Sequence, residues 1–244
     1  MIAVTFALPA ESSGFLHLVH NKTRSDRNGI TTVVGKIENP ENIGGREPLL
    51  SRAIEIFHTG VGEKVCRQRM ARFLQDRQLD CLISAGFAGA LTDQLDVGDL
   101  VLARNFSTAE LGKARSLLIN LPIHVANLLT VPSMIDSDEE RNKTARATGA
   151  AAVDMETEFI ARACAEHGVP LLSLRAISDT PRQRFPAPAH VLFNIERQRT
   201  SVMTLVLYLC KHPTRLRGLI RFASQVARAR ETLTEALVAV ATAL

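Results

Sequence analysis

Three carboxylates are set apart by where they fall along the chain: Glu11, Glu156 and Asp179. Glu11 follows the apolar run Ile2 to Leu8, Glu156 precedes a helical pattern, and Asp179 closes the apolar run Val169 to Ile177. Ends of strands and starts of helices are where open α/β sheets gather their ligand crevices. Acids in such places can donate a proton, take one from water, or accept hydrogen bonds from hydroxyls. Arg175 and Ser178 share the last segment and are candidates to orient them. Two Gly-rich stretches also fall after predicted strands: His58-Thr59-Gly60-Val61-Gly62 and Ala85-Gly86-Phe87-Ala88-Gly89-Ala90. Free backbone amides at a Gly-x-Gly turn can cradle an anion. Each residue also has a plain structural reading. Asp154 and Glu158 read as first-turn charges favoured by the helix dipole, Glu11 can be read the same way, and Arg175 can pair with a neighbouring acid inside the fold.

The elements that must position these residues follow from periodicity. From Val153 to Asp179 the sequence predicts one αβ unit: a helix carrying Phe159, Ile160, Ala163 and Cys164, a stop at Gly168, then a buried strand over Val169 to Ile177. Further strands are predicted over Ile2–Leu8, Thr31–Val34, Ala53–Phe57, Leu79–Ser84 and Leu100–Ala103. Helices are predicted through Phe15–Val19, Val65–Leu74 and Val191–Cys210, with a long C-terminal one beyond Pro213. Ala85–Ala90 reads as a small-residue turn, Glu38–Arg46 as a loop or hairpin tip, and Ser137 as the cap of a short helix with Glu140 at the box position. Strands alternating with helices predict an α/β fold, a mixed, mostly parallel sheet with both faces covered. The expected division is a single domain over residues 1–210, a three-layer αβα sandwich, followed by a basic amphipathic extension over 211–244.

Composition bounds the rest. Of 244 residues, 46% are apolar and 22% charged, enough to fill a substantial core. Cys66, Cys81, Cys164 and Cys210 lack the paired spacing of a zinc or redox site and read as core thiols in a reducing compartment. The apolar run Val202–Cys210 is far short of the ~20 residues that span a bilayer. No metal or cofactor site is apparent, and a cytoplasmic location is expected, with the membrane surface as a further site. The net charge of +4 is unevenly placed, because Lys211, Arg215, Arg217, Arg221, Arg228 and Arg230 cluster with no acid among them. Leu216, Leu219, Ile220, Ala223 and Val226 form the apolar face of that segment, which reads either as a helix on an anionic membrane or as an ordinary packing helix. With Phe222 as its one Phe, Tyr or Trp and no recognised binding motif, it argues against nucleic acid as a partner.

Met155-Glu156 before a helix, Val169-Pro170, an apolar strand and Arg175-Ala176-Ile177-Ser178-Asp179 form a compound pattern. It resembles the signature of the nucleoside phosphorylase and nucleosidase superfamily, in its methylthioadenosine/S-adenosylhomocysteine nucleosidase branch. The resemblance implies roles. Asp179 would protonate the imidazole ring of a purine, oriented by Ser178. Glu156 would accept hydrogen bonds from the ribose hydroxyls while Met155 packs on the sugar. Glu11 would bind the attacking water with help from Arg175, and Gly60, Gly62, Gly86, Gly89 and Phe87 would shape the ribose and nucleophile end. The family also implies a homodimer that needs no cofactor, with phosphate as co-substrate if the enzyme is a phosphorylase.

The chain departs from the family pattern in three places. Phe87 stands where the nucleosidases carry a hydroxyl residue, the stretch from Arg104 to Thr130 is short, and the C-terminal segment is basic. An anionic Glu11 repels phosphate and favours water, whereas Arg182 and Arg184 folded inward would favour phosphate. The short stretch and basic helix together look like the hopanoid-associated branch of the family, which acts on adenosine attached to a lipid. The readings left open are an adenine nucleosidase, a phosphorylase, a futalosine-type hydrolase of a 6-oxopurine, and a catalytically silent nucleoside-binding or membrane-associated protein.

Overall fold

A computed structural model describes residues 1–38, 51–109, 111–183, 191, 208 and 212–244. The first strand, β1 (Ile2–Phe6), divides the core in two. Ile2, Val4 and Phe6 join one apolar cluster with Phe15, Ala114, Leu233 and Leu237, while Ala3 joins another with Phe57, Met70, Phe73 and Ile160. Successive strand residues face opposite sides, so a strand buried at every position calls for helices on both faces. On the first face lie α1 (Pro9–Leu18), α3 (Leu111–Leu117) and the C-terminal helix, here α6 (Leu216–Ala243). The second face carries α2 (Glu63–Leu74) and α5 (Thr157–Glu166). The expected three-layer αβα sandwich around a mixed sheet is therefore observed.

The remaining strands are β2 (His20–Arg27), β3 (Ile30–Glu38), β4 (Ser51–His58), β5 (Cys81–Ala90), β6 (Leu100–Ala103), β7 (Ile123–Ala126), β8 (Leu128–Thr130), β9 (Ala152–Asp154) and β10 (Leu171–Asp179). Their order is β2-β3-β4-β1-β5-β10-β6-β7, with β9 joining β5 and β8 off that path. The centre of the sheet, β4-β1-β5-β10, is parallel, and β6 runs antiparallel to β10. The carboxyl ends of four central strands thus lie along one edge. Registers then fix neighbours across it: Arg175 opposes Gly86, and Asp179 opposes Gly89.

Several sequence expectations are corrected. Ala85–Ala90 is not a turn but the second half of β5, paired with β10 and β9. The Asn21–Arg52 region holds a long β2-β3 hairpin, and β2 is exposed at every residue. Ser137 does cap α4 (Asp138–Thr148), accepting from Glu140 N at 3.0 Å. In α6 the residues Ala229, Leu233, Ala236, Leu237, Val240 and Ala241 are fully buried, so its second half belongs to the main core. The expected boundary at residues 210 and 211, the helix over Val191–Cys210 apart from positions 191 and 208, and residues 39–46 of the expected tip lie outside the described residues.

Candidate active site

Glu11 sits in the first turn of α1, immediately beyond β1. Its Oε2 accepts from Leu8 N at 2.8 Å, tying it to the backbone that leaves the strand, and its Oε1 accepts from Phe87 N at 2.9 Å. A Cβ on Gly86 would come within 2.9 Å of Oε1, so the absent side chain makes room for the carboxylate. Burial pushes the Glu11 carboxyl above its ordinary range, against the lowering pull of the Phe87 and Leu8 amides and the nearby Arg175.

Glu156 occupies the position just before α5, two residues past β9, with its side chain turned away from the helix amides. Its Oε1 accepts from Gly62 N at 3.0 Å, across the turn that follows β4. Gly60 and Gly62 both adopt positive φ, 76° and 88°, which a side chain would strain. Burial and the neighbouring Asp154 push the Glu156 carboxyl up to about 8. Met155 beside it is half-buried.

Asp179 closes β10 and is buried. Its Oδ1 accepts from Ser178 Oγ at 2.8 Å, and its Oδ2 from Arg141 Nη2 at 2.5 Å. The sequence reading did not include Arg141. Its ion pair spans 38 positions of chain, so local pattern carried no sign of it. The one available hint was a cation set directly behind Asp136, Asp138, Glu139 and Glu140.

Arg175 pairs with an acid inside the fold, as one of its two readings expected. Nε donates to Asp154 Oδ2, Nη1 to the carbonyls of Ser84 and Leu174, and Nη2 to Ser84 Oγ and Thr157 Oγ1. All the N–H donors of a guanidinium are thereby taken by protein. Asp154 in turn accepts from Thr130 Oγ1, Thr157 N and Thr157 Oγ1. It is a buried partner of Arg175 rather than a first-turn charge. Such a network fixes the floor on which the catalytic candidates stand, and Arg175 reaches Glu11 and Glu156 through its field.

Phe87 contributes its backbone amide to Glu11 while its ring packs partly against the α1/α6 side of the core. Arg182 lies at the surface, 67% exposed, with Asp93 as its ion-pair partner at 3.2 Å. It does not point toward the carboxylates as an anion-binding residue would, and Arg184 lies outside the described residues. Among the described residues no cluster of His, Cys, Asp and Glu has the arrangement of a metal site. Glu11 and Glu156 lie close enough to feel each other's charge, and Asp179 ends the neighbouring strand β10, each anchored by a different group. Carboxyls so placed can move protons and accept hydrogen bonds from hydroxyls.

Residues 107–210 match the family model described as the phosphorylase superfamily. In sequence the chain is similar to the 5′-methylthioadenosine/S-adenosylhomocysteine nucleosidase of Staphylococcus aureus strain MRSA252, 27% identical over 160 residues, covering 54% of this chain and 70% of that one. In structure it is similar to the Streptococcus pneumoniae MTA/SAH nucleosidase in complex with 8-aminoadenine, with a TM-score of 0.68, 18% identity and coverage of 100% and 99% of the two chains. It is also similar to the futalosine hydrolase of Helicobacter pylori strain 26695, with a TM-score of 0.69, 15% identity and coverage of 98% and 96%.

Proposed function

We propose, for a chain with the nucleosidase fold and a phosphorylase-superfamily match, that it is an enzyme cleaving the N-glycosidic bond of a purine nucleoside, with adenine as the base. The observation that carries this is the trio of buried carboxylates on one sheet edge, separately anchored. Breaking the bond from C1′ to N9 sends its electron pair to the base and leaves oxocarbenium character on the sugar. Asp179 gives a proton to the imidazole ring, at N7, so that the base departs neutral. Glu156, a carboxyl that can both accept and donate, holds the ribose hydroxyls. Glu11 takes a proton from the water whose oxygen bonds to C1′, and burial makes it a stronger acceptor for that proton. Met155 lies beside the sugar, and Gly60, Gly62, Gly86 and Phe87 line the ribose and nucleophile end. Arg175 serves through its charge and through the walls it braces.

Water is favoured over phosphate by the anionic Glu11 and by the outward Arg182. The 6-aminopurine assignment rests on the aspartate at the base position. The enzyme works as a homodimer without a cofactor. A second feature bears on the 5′ substituent: Leu216 and Ile220 on α6 are 50% and 62% exposed beside Arg217 and Arg221. This favours contact with an anionic membrane and a substrate whose 5′ end carries a lipid, as in the hopanoid-associated branch.

The test is base release from methylthioadenosine, S-adenosylhomocysteine, adenosine and inosine, each with and without phosphate. Free adenine with an unphosphorylated sugar is the expected product. Asp179→Asn should lower kcat by about 10²- to 10⁴-fold with a smaller change in binding. A phosphorylated sugar would make the enzyme a phosphorylase, and full activity of Asp179→Asn would remove Asp179 from the mechanism.

A further inference from the structure

Arg141 stands where a helix does not favour it. Asp138, Glu139 and Glu140 suit the positive end of α4, but Arg141, in the same first turn, does not. Its side chain is nevertheless buried, at 4% exposure. Nε donates to Ile135 O at 3.0 Å and Nη1 to Ala90 O at 2.9 Å. Two backbone carbonyls therefore aim the guanidinium independently of Asp179, and Nη2 then meets Asp179 Oδ2 at 2.5 Å. Gly89 leaves the space for this pair, since a Cβ there would come within 2.9 Å of Asp179 Oδ2 and 3.3 Å of Arg141 Nη1. Ser178 holds the other carboxylate oxygen.

We propose that Arg141 is a positioning residue for base departure and base choice: it holds Asp179 as the carboxylate that remains once the proton has passed to the base, and thereby selects a 6-aminopurine over a 6-oxopurine. This rests on the nucleosidase reading above. The proton moves from the Asp179 carboxyl to N7 as the glycosidic bond breaks, and the resulting carboxylate is met by a guanidinium already in place. An interaction stronger after proton transfer than before it lowers the barrier rather than only tightening binding. The same geometry discriminates at the purine edge. A protonated N7 and a 6-amino group both offer N–H donors to a carboxylate, whereas a 6-oxo group offers an acceptor that repels it. Without the guanidinium, Asp179 keeps only its Ser178 anchor, and the fixed geometry that separates the two bases relaxes.

The test compares wild type, Arg141→Lys and Arg141→Met in kcat and KM for adenine release from adenosine and hypoxanthine release from inosine, with thermal melting as the check on folding. Arg141→Met should lose about 10²-fold in kcat for adenosine, with KM changed less. Its adenosine-to-inosine preference should fall by about tenfold or more. Arg141→Lys, which keeps the charge, should recover part of both. Gly89→Ala provides a second route to the same outcome, because it crowds the pair from the opposite strand without removing either charge. An unchanged preference and kcat in Arg141→Met, with a melt like that of wild type, would overturn the role while leaving the nucleosidase reading standing. If wild type releases neither base, calorimetry with free adenine and free hypoxanthine decides. Preferential adenine binding that is lost in Arg141→Met supports the selective role without catalysis, and no binding of either base by wild type overturns it.

Discussion

Glu156 carries a proton that unfolding would release. Burial and the nearby Asp154 raise it from 4.5 in the free side chain to about 8. Between those values the folded chain binds a proton that the unfolded chain lacks, so this group's stabilising contribution is complete below about pH 4.5 and is lost as pH rises toward 8. Glu156→Gln removes the titration and keeps the shape. Its melting temperature should match wild type near the acidic end of that window and exceed it near the basic end, by an amount worth on the order of a few kcal/mol. Parallel melting curves for the two proteins across the window would show that Glu156 is not held neutral. The positions of Glu11, Glu156 and Asp179 were legible because each ends or begins an element, and element ends can be read from periodicity. Ser178 was legible as a partner of Asp179, but Arg141 was not, nor was the choice of Asp154 as the acid that Arg175 pairs with. Arg175 and Arg141 reach Asp154 and Asp179 through the folded sheet and α4, across spans of 21 and 38 residues that carry no local pattern.

The same limit applies to whole elements. Ala85–Ala90 looked like a turn because its residues are small, yet Gly86 and Gly89 are small to admit the Glu11 and Asp179 carboxylates beside a regular strand. β2 was missed because all of its residues are exposed and polar, so no alternation marks it. α6 was legible as an amphipathic helix, but from Ala229 onward its inner face, with Leu233, Leu237 and Val240, is part of the core shared with β1, β5 and β10. The two halves of this helix should therefore respond differently to truncation of a side chain. Leu237→Ala, at a fully buried site, should cost about 2 to 5 kcal/mol in chemical denaturation. Ile220→Ala, at a site 62% exposed, should change stability by no more than about 0.5 kcal/mol. Equal costs at the two positions would mean that the first turns of α6 are packed as tightly as the last.

At the scale of the molecule, that division of α6 separates anchoring from display. The buried half fixes the helix against the sheet, and the exposed half carries Leu216 and Ile220 on the surface with Arg215, Arg217 and Arg221 around them. Among the described residues no helix is long and apolar enough to cross a membrane. A contact made by this exposed stripe is peripheral in kind, with each arginine near an anionic surface contributing about 1 kcal/mol and the two apolar side chains entering the interface. Deleting residues 211–244 would be a poor test, because it removes Leu233, Leu237 and Val240 from the core along with the exposed face. Paired substitution of Leu216→Asp with Ile220→Asp leaves the buried half intact. Wild type should sediment with vesicles rich in an anionic lipid, release at high salt, and ignore vesicles of neutral lipid. The double variant should remain in the supernatant while cleaving a soluble nucleoside at the wild-type rate. If wild type stays in solution with the anionic vesicles at low salt, the exposed stripe is not a membrane contact, and the argument for a lipid on the 5′ end loses its structural support. If it sediments and the double variant does not, the exposed stripe is a membrane contact, and the proposed lipid on the 5′ substituent gains a physical basis.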